Sequence, residues 1–298
     1  MRKIFVALIS FVIFIVVAII FLFKTDIGKK VGAPVIKSVY QFYYRRPLHH
    51  FAGLRDLERV KFFVEMGFDV NAYDQHKMTP LHSASRRDGL DVVKFFVNKG
   101  ADIKAVDASG STALHYASNW GDFDIAKFLV DKGADLDAVN KFRATPLHIA
   151  SERGELDIVA LLVGKGAKID AVMQDQRTPL HLASGRRGSL DVVKFLVDKG
   201  ANVNAANKDG NTPFALACIS CNPEIAEFLV KNNKKDVAKE NIDQVIDKTK
   251  KKVEEYLREL EFRPPEADPK PYIEYVEWMK SRYSKVFKIL NDLKTNQK

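Results

Sequence analysis

The sequence predicts an all-α protein: a solenoid of short stacked helix pairs with β-hairpin turns between them, preceded by one transmembrane helix and followed by a C-terminal helical hairpin. Three observations predict it. Residues Ile4 to Phe23 form an apolar run with Ser10 as its only polar member. A word of the type Thr-Pro-Leu-His recurs, placing His49, His82, His115, His148 and His181 at intervals of 33 residues. Residues 241–298 carry two apolar stripes at helical spacing, separated by the breaker "FRPPEADPKP".

The N-terminal run is long enough to span a bilayer, because about 20 apolar residues cover the ~30 Å hydrocarbon core. A cleaved signal peptide is the alternative, but its apolar region is shorter and ends in small residues, whereas this run ends Phe21-Leu22-Phe23-Lys24. The expected order is therefore a tail at 1–3, a single-pass anchor at 4–23 and a juxtamembrane linker or cap at 24–45. Arg2 and Lys3 precede the run, and Lys24, Lys29, Lys30 and Lys37 follow it. That distribution leans toward a cytosolic domain but leaves the side undecided.

The formal charge of +9 is unevenly placed. Residues 1–45 hold seven basic and one acidic side chain (+6), residues 46–230 hold 23 and 24 (−1), and residues 231–298 hold 17 and 13 (+4). Part of the excess therefore lies beside the membrane segment, where lysines meet anionic headgroups, and no nucleic acid partner is expected. Two cysteines are too few for a disulfide framework,.

The repeat is measured from Thr79, Thr112, Thr145, Thr178 and Thr212, at intervals of 33, 33, 33 and 34 residues. With an earlier copy from Arg46, the copies span 46–78, 79–111, 112–144, 145–177, 178–211 and 212–240. In "TPLHIASERGELDIVALLVGKGAKIDA", Thr145 suits a helix N-cap and Pro146 the first helical position. Asp157 is placed to cap the second helix. Leu156, Val159, Leu162 and Val163 give that helix an apolar stripe, and Gly166 suits its left-handed end. Asn233 takes that place in the sixth copy. One such pair cannot bury its apolar face alone, so copies must stack.

The pattern "TPLHIAS…G…DIVALLVGKGAKIDA" resembles the ankyrin repeat across residues 46–240. Departures are local: the first copy lacks the Thr, Ala113 replaces Pro, the fifth copy has an extra residue in "SGRRGSL", and Ala215 replaces His. The resemblance implies L-shaped repeats, protruding hairpins and a concave binding surface. It also implies a structural role for the Thr and His of each word: Thr79 with His82, Thr112 with His115, Thr145 with His148, Thr178 with His181. Stacked rungs lie about 8–10 Å apart, too far for two histidines to share a zinc at ~2.0–2.1 Å. His49, His50 and His76 form the one cluster off the ladder.

Cys218 and Cys221 form a Cys-x-x-Cys, but without a second pair or a βαβ setting,. Cys218 aligns with the small Ser of "LHIAS", and Cys221 falls in the turn. They would carry the alternative function, a membrane-bound redox or haem-handling accessory. No phosphate-loop, nucleophile-elbow, dinucleotide or metalloprotease motif occurs, so neither an enzyme nor a cofactor is expected, and the C-terminal 60 residues lack an active site that a targeting module would serve.

Function is then expected where the copies differ. The positions seven and eight residues after each Thr are Arg86 and Arg87, Asn119 and Trp120, Glu152 and Arg153, and Gly185 and Arg186, with Arg187 as the extra residue and Ser220 last. The hairpin tips add Phe142 and Arg177. Trp and Arg dominate interface energetics and arginine forks bind carboxylate or phosphate, so the expected ligand is a protein with an acidic or phosphorylated segment, bound by Arg86, Arg87, Asn119, Trp120, Phe142, Glu152, Arg153, Arg177, Arg186 and Arg187. Oligomeric state is not legible. The two C-terminal stripes are expected to form an antiparallel pair covering the sixth copy.

Overall fold

Each repeated word starts a helix because its residues satisfy the helix start from both sides. In the computed structural model, which describes residues 46–86, 88–232, 241–261 and 270–296, Thr79, Thr112, Thr145 and Thr178 are all extended N-caps. Their backbone N–H groups donate to Nδ1 of the histidine three residues on, at 3.0, 3.1, 3.2 and 3.1 Å. This is a capping box in which His stands where Glu usually does. Thr145 and Thr178 Oγ1 accept in return from the His148 and His181 amides at 3.4 Å.

The described residues belong to two compact units divided after Ala108. In the first, α1 (Pro47–Gly53) pairs with α2 (Leu57–Glu65) and α3 (Pro80–Ala84) with α4 (Leu90–Asn98). The second holds α5 (Ala113–Trp120) with α6 (Phe123–Asp131), α7 (Pro146–Arg153) with α8 (Leu156–Gly164), α9 (Pro179–Gly185) with α10 (Leu190–Asp198), and α11 (Pro213–Ile219) with α12 (Pro223–Asn232). It ends with α13 (Ile242–Glu261) and α14 (Lys270–Asn296). Within the second unit each first helix packs on the next, α5 on α7, α7 on α9 and α9 on α11, while α6, α8, α10 and α12 form the outer row.

The core follows the repeat. Leu114, Leu147, Leu180 and Phe214 fill equivalent inner positions, and Ile125, Leu129, Ile158, Leu162, Val193 and Leu196 fill the outer row, all essentially inaccessible. Ser118, Ser151 and Ser184 are buried at the position Cys218 takes in the last pair, their hydroxyls unpaired among the described residues. Smallness, not polarity, is what that position requires.

Nine residues after each Thr, or its equivalent, the chain turns through the left-handed region. Gly121 and Gly154 supply it where such φ is cheapest, and Arg55, Asp88 and Cys221 supply it at φ 62°, 44° and 59°,. In the fifth copy the extra residue moves this turn to Gly188 and leaves Arg186 extended.

Several expectations need correction. Among the described residues there is no β-strand: the hairpins are turns closed by single bonds such as Asn140 N–H to Ala144 O at 3.1 Å and Asn207 N–H to Asn211 O at 2.9 Å. Asp157 does not cap α8, whose N-cap is Glu155, while Asp56 and Asp122 cap α2 and α6. In α8 it is Ile158, not Leu156, that is buried, because the apolar arc is turned by half a helical step. The anchor at 4–23, the linker at 24–45, Asn233 and Arg87 lie outside the described residues. Among the described residues no helix is long and apolar enough to cross a membrane.

The two last helices lie against the final pair, α13 on α11 and α14 on α12, and against each other. The Lys294–Asp243 ion pair joins the end of α14 to the start of α13, so the two run antiparallel.

Candidate functional site

The histidine ladder is a set of struts with a defined tautomer. Because Nδ1 accepts from the Thr amide, a neutral ring must carry its proton on Nε2. That nitrogen donates to the backbone carbonyl of the next hairpin: His115 to Ala144 at 3.0 Å, His148 to Arg177 at 3.2 Å and His181 to Asn211 at 3.0 Å. His49 does the same to Met78 at 2.9 Å within the first unit. Burial drives the His148 pKa down to about 4 and lowers those of His49 and His181. These rings are consumed by the fold. Among the described residues no group of three or more His, Cys, Asp or Glu could hold a metal ion, and His50 and His76 are exposed.

The hairpin tips are tied to one another by one backbone bond each. Ala108 N–H donates to His76 O in the first unit. In the second, Lys141 donates to Ser109 O, Gln174 to Phe142 O and Lys208 to Asp175 O, at 2.8, 3.0 and 2.9 Å. At the last of these tips the ammonium of Lys248 on α13 takes the place of that amide. It donates to Asp209 O at 3.1 Å and to Asn211 Oδ1 at 2.5 Å. The same end bears on Ala215: 29 and 30 residues on, where each ladder histidine finds its carbonyl, Gln244 and Val245 lie within α13.

Between these tips and the ends of the inner helices lies a groove of ≈ 470 Å³. Its floor includes Leu182, Gly185 and Leu216, and its walls carry Glu152, Asp175, Arg177, Arg186, Asp209 and Ser220. Arg177 Nε donates to Asp175 at 2.6 Å. Partial burial pushes that carboxyl up, but hydrogen bonds from the Arg177 backbone and guanidinium outweigh it and leave the pKa below the usual range. Arg186 reaches back over Gly154, where a Cβ would lie 2.9 Å from Nε, and donates to Glu152 O at 2.9 Å. Glu152 and Asp209 remain exposed on the rim.

Of the residues expected to bind a partner, the groove gathers Glu152, Arg177 and Arg186. Arg153 is exposed beside it and donates to Asn119 Oδ1 at 3.0 Å. Trp120 is half-buried rather than fully exposed. Arg86 is exposed, in the first unit. Phe142 stands outside the groove on its own tip. Arg187 is committed elsewhere. Its guanidinium lies over the Trp278 ring at 4.9 Å, Arg282 approaches the same ring at 5.1 Å, and Arg187 Nη2 points at Met279 Sδ at 3.1 Å. The extra residue of the fifth copy thus meets the C-terminal helix.

Sequence reasoning missed Asp175 and Asp209 as groove walls and Leu182 and Leu216 as floor; their place in each copy, one tip residue and one inner-helix residue, was the available signal. It also missed Leu54, which is eight residues after Arg46 and 57% exposed.

Cys218 and Cys221 are not joined in a disulfide, and both are buried. Cys221 packs with Met279 and Tyr283, and burial pushes its thiol up to about 11 against the opposing pull of Arg187 and Arg282. It is a neutral thiol at physiological pH, a poor nucleophile.

A family model described as "Ankyrin repeats (3 copies)" matches residues 30–107, 87–173 and 169–241, together well over half of the chain. No curated protein matches the chain.

Proposed function

This chain belongs to the ankyrin-repeat family, and we propose that it is a membrane-tethered, non-catalytic scaffold that captures a protein partner in the groove of its second unit. Ankyrin repeats generally mediate protein–protein interaction. Each helix pair is read as one repeat, six in all, and the Ile4 to Phe23 run as the tether, with the repeats on the cytosolic side.

The observation that carries the reading is the groove itself: mostly polar, with charges of both signs beside Leu182 and Leu216, and built on helix ends and hairpins whose backbones are cross-tied. A preorganised surface of this kind loses little entropy on binding. Because Glu152, Asp175 and Asp209 share the walls with Arg177 and Arg186, the fitting partner is an extended segment bearing both charges, its acidic group facing Arg186. Asn119, Trp120 and Arg153 extend the same surface, and no nucleic acid is assigned to it.

A photo-crosslinking amino acid at Ser220 tests the groove. One protein should be captured, and Arg186→Glu combined with Asp209→Lys should abolish capture while the melting temperature stays within a few degrees. Undiminished capture by the double variant rules the groove out. The tether is tested separately: alkaline carbonate should leave the full chain in the membrane fraction and release a chain lacking residues 1–23. The redox reading is disfavoured by the buried, neutral Cys221 thiol, and rapid maleimide labelling of the native chain would revive it.

A further inference from the structure

The tip Lys141-Phe142-Arg143 is unlike its neighbours in composition and in what it leaves in water. Phe142 is 58% exposed; Val139 and Val172, at 54% and 44%, are exposed as Tyr73 and Val106 are at the same place of the earlier hairpins, so the ring is what sets this tip apart. Lys141 and Arg143 flank the ring, both exposed, and neither has an ionic or hydrogen-bonded side-chain partner among the described residues. Asp137 pairs with Lys168 and Asp175 with Arg177, which leaves Lys141 and Arg143, among the described residues, as the unpaired cations of this tip. The free charge at this tip is positive.

The ring is not exposed because the loop is slack. Asn140 Oδ1 accepts from the Phe142 and Ala144 amides at 2.9 and 3.1 Å, Arg143 N–H returns to Asn140 O at 2.8 Å, and Phe142 O receives the Gln174 amide. Gly110 packs so tightly under this turn that a Cβ there would lie 3.2 Å from Asn140 Cα. Arg143 holds φ 59° to complete the turn. A braced backbone thus presents an aromatic between two cations, next to two aliphatics.

We propose that this tip is a membrane-docking element that enters the headgroup layer of an anionic bilayer. Aromatics and long cationic side chains are the residues that settle at that depth, and two exposed cations beside an exposed ring match the negative surface of an anionic leaflet. The proposal draws on the tethered reading in one respect. A chain already held at a bilayer by Ile4 to Phe23 needs only a weak second contact, because tethering raises its effective concentration. Docking would fix the groove relative to the membrane and leave it open to a partner.

The test uses the full chain carrying Phe142→Trp in vesicles of phosphatidylcholine with or without phosphatidylserine, some with brominated acyl chains, with wild-type emission subtracted for Trp120 and Trp278. In anionic vesicles the introduced indole should shift to the blue and lose at least about half its emission to bromolipid. About 0.5 M salt, which shortens the screening length to a few ångström, should weaken both effects, as should Lys141→Glu with Arg143→Glu. Solvent-like emission in both vesicle types overturns the proposal. So does a blue shift that requires added soluble protein instead of lipid, which would assign the tip to a protein contact. Flotation in high salt reads the tether independently. A floating chain with an unquenched indole sinks the tip alone, and a non-floating chain quenched by added anionic vesicles sinks the tether alone.

Discussion

Two ends of the second unit solve the same problem differently. In the pairs beginning at Thr112, Thr145 and Thr178, each histidine donates forward to a hairpin carbonyl; the first two turn on glycine, and their tip carbonyls, Phe142 and Asp175, each accept a backbone amide. In the pair beginning at Thr212 the histidine is Ala215, the amide is replaced by the Lys248 ammonium, and the left-handed turn is made by Cys221 under Met279 and Tyr283. The difference teaches which recurring residues serve their own helix and which reach the hairpin that closes the copy. Thr212 keeps its cap bond to the Ala215 amide at 3.1 Å, because that bond lies within one helix start. The histidine, whose second bond goes on to the hairpin 29 or 30 residues later, is the residue that disappears.

The sharpest way to break the comparison is His148→Ala. It deletes a buried ring and orphans the Arg177 carbonyl and the Thr145 amide, and should cost about 3–4 kcal/mol in urea unfolding. The reverse change, Ala215→His, should stabilise nothing; a gain would mean the last pair had a free acceptor after all. Acid should produce an effect nearly as large. Unfolded histidine titrates near 6.5 and folded His148 near 4,. The unfolded chain therefore takes the proton first as pH falls, so this contribution is intact above about 6.5, declines down to about 4, and amounts at most to about 3 kcal/mol. Hydrogen exchange across that range should show α7 and α9 losing protection before α11, which has no ladder histidine.

A smaller contrast lies in the turns. Gly154→Cys should cost about 1–2 kcal/mol, because φ 77° is unfavourable for a side chain and Arg186 occupies the space,. Cys221→Gly should change stability by less than about 1 kcal/mol, relief of backbone strain offsetting the lost packing. Of similar size, Lys248→Met should lower stability by about 0.5 kcal/mol, with faster exchange confined to the last hairpin; exchange spread over α9 and α10 would show that α13 supports more than one tip.

How far the molecule was legible follows from the same distinction. Thr, Pro, His and the turn positions repeat at a strict spacing, so their roles could be read from residues such as Thr145, Pro146, His148 and Gly154. Asp157 was misplaced as a cap because a two-residue shift in helix start is not encoded in the apolar spacing. Leu156 was misassigned to the core for the same reason. Arg187 looked like another surface arginine because nothing local records that Trp278, 91 positions later, returns to meet it. The groove's carboxylates at Asp175 and Asp209 were passed over because hairpin tips vary in every copy, and only the fold shows which variable positions converge.

The cross-ties between hairpins also give the array a direction. Within each unit every tip-to-tip bond runs from the later amide to the earlier carbonyl, so the row has a donor sense like a one-way ratchet, and its far end exposes acceptors only. An array built this way can be lengthened by duplicating an interior copy, which brings its own donor and acceptor. At the Asp209 carbonyl the donor comes from α13 instead of a hairpin amide, and Lys248 is the residue that closes the row.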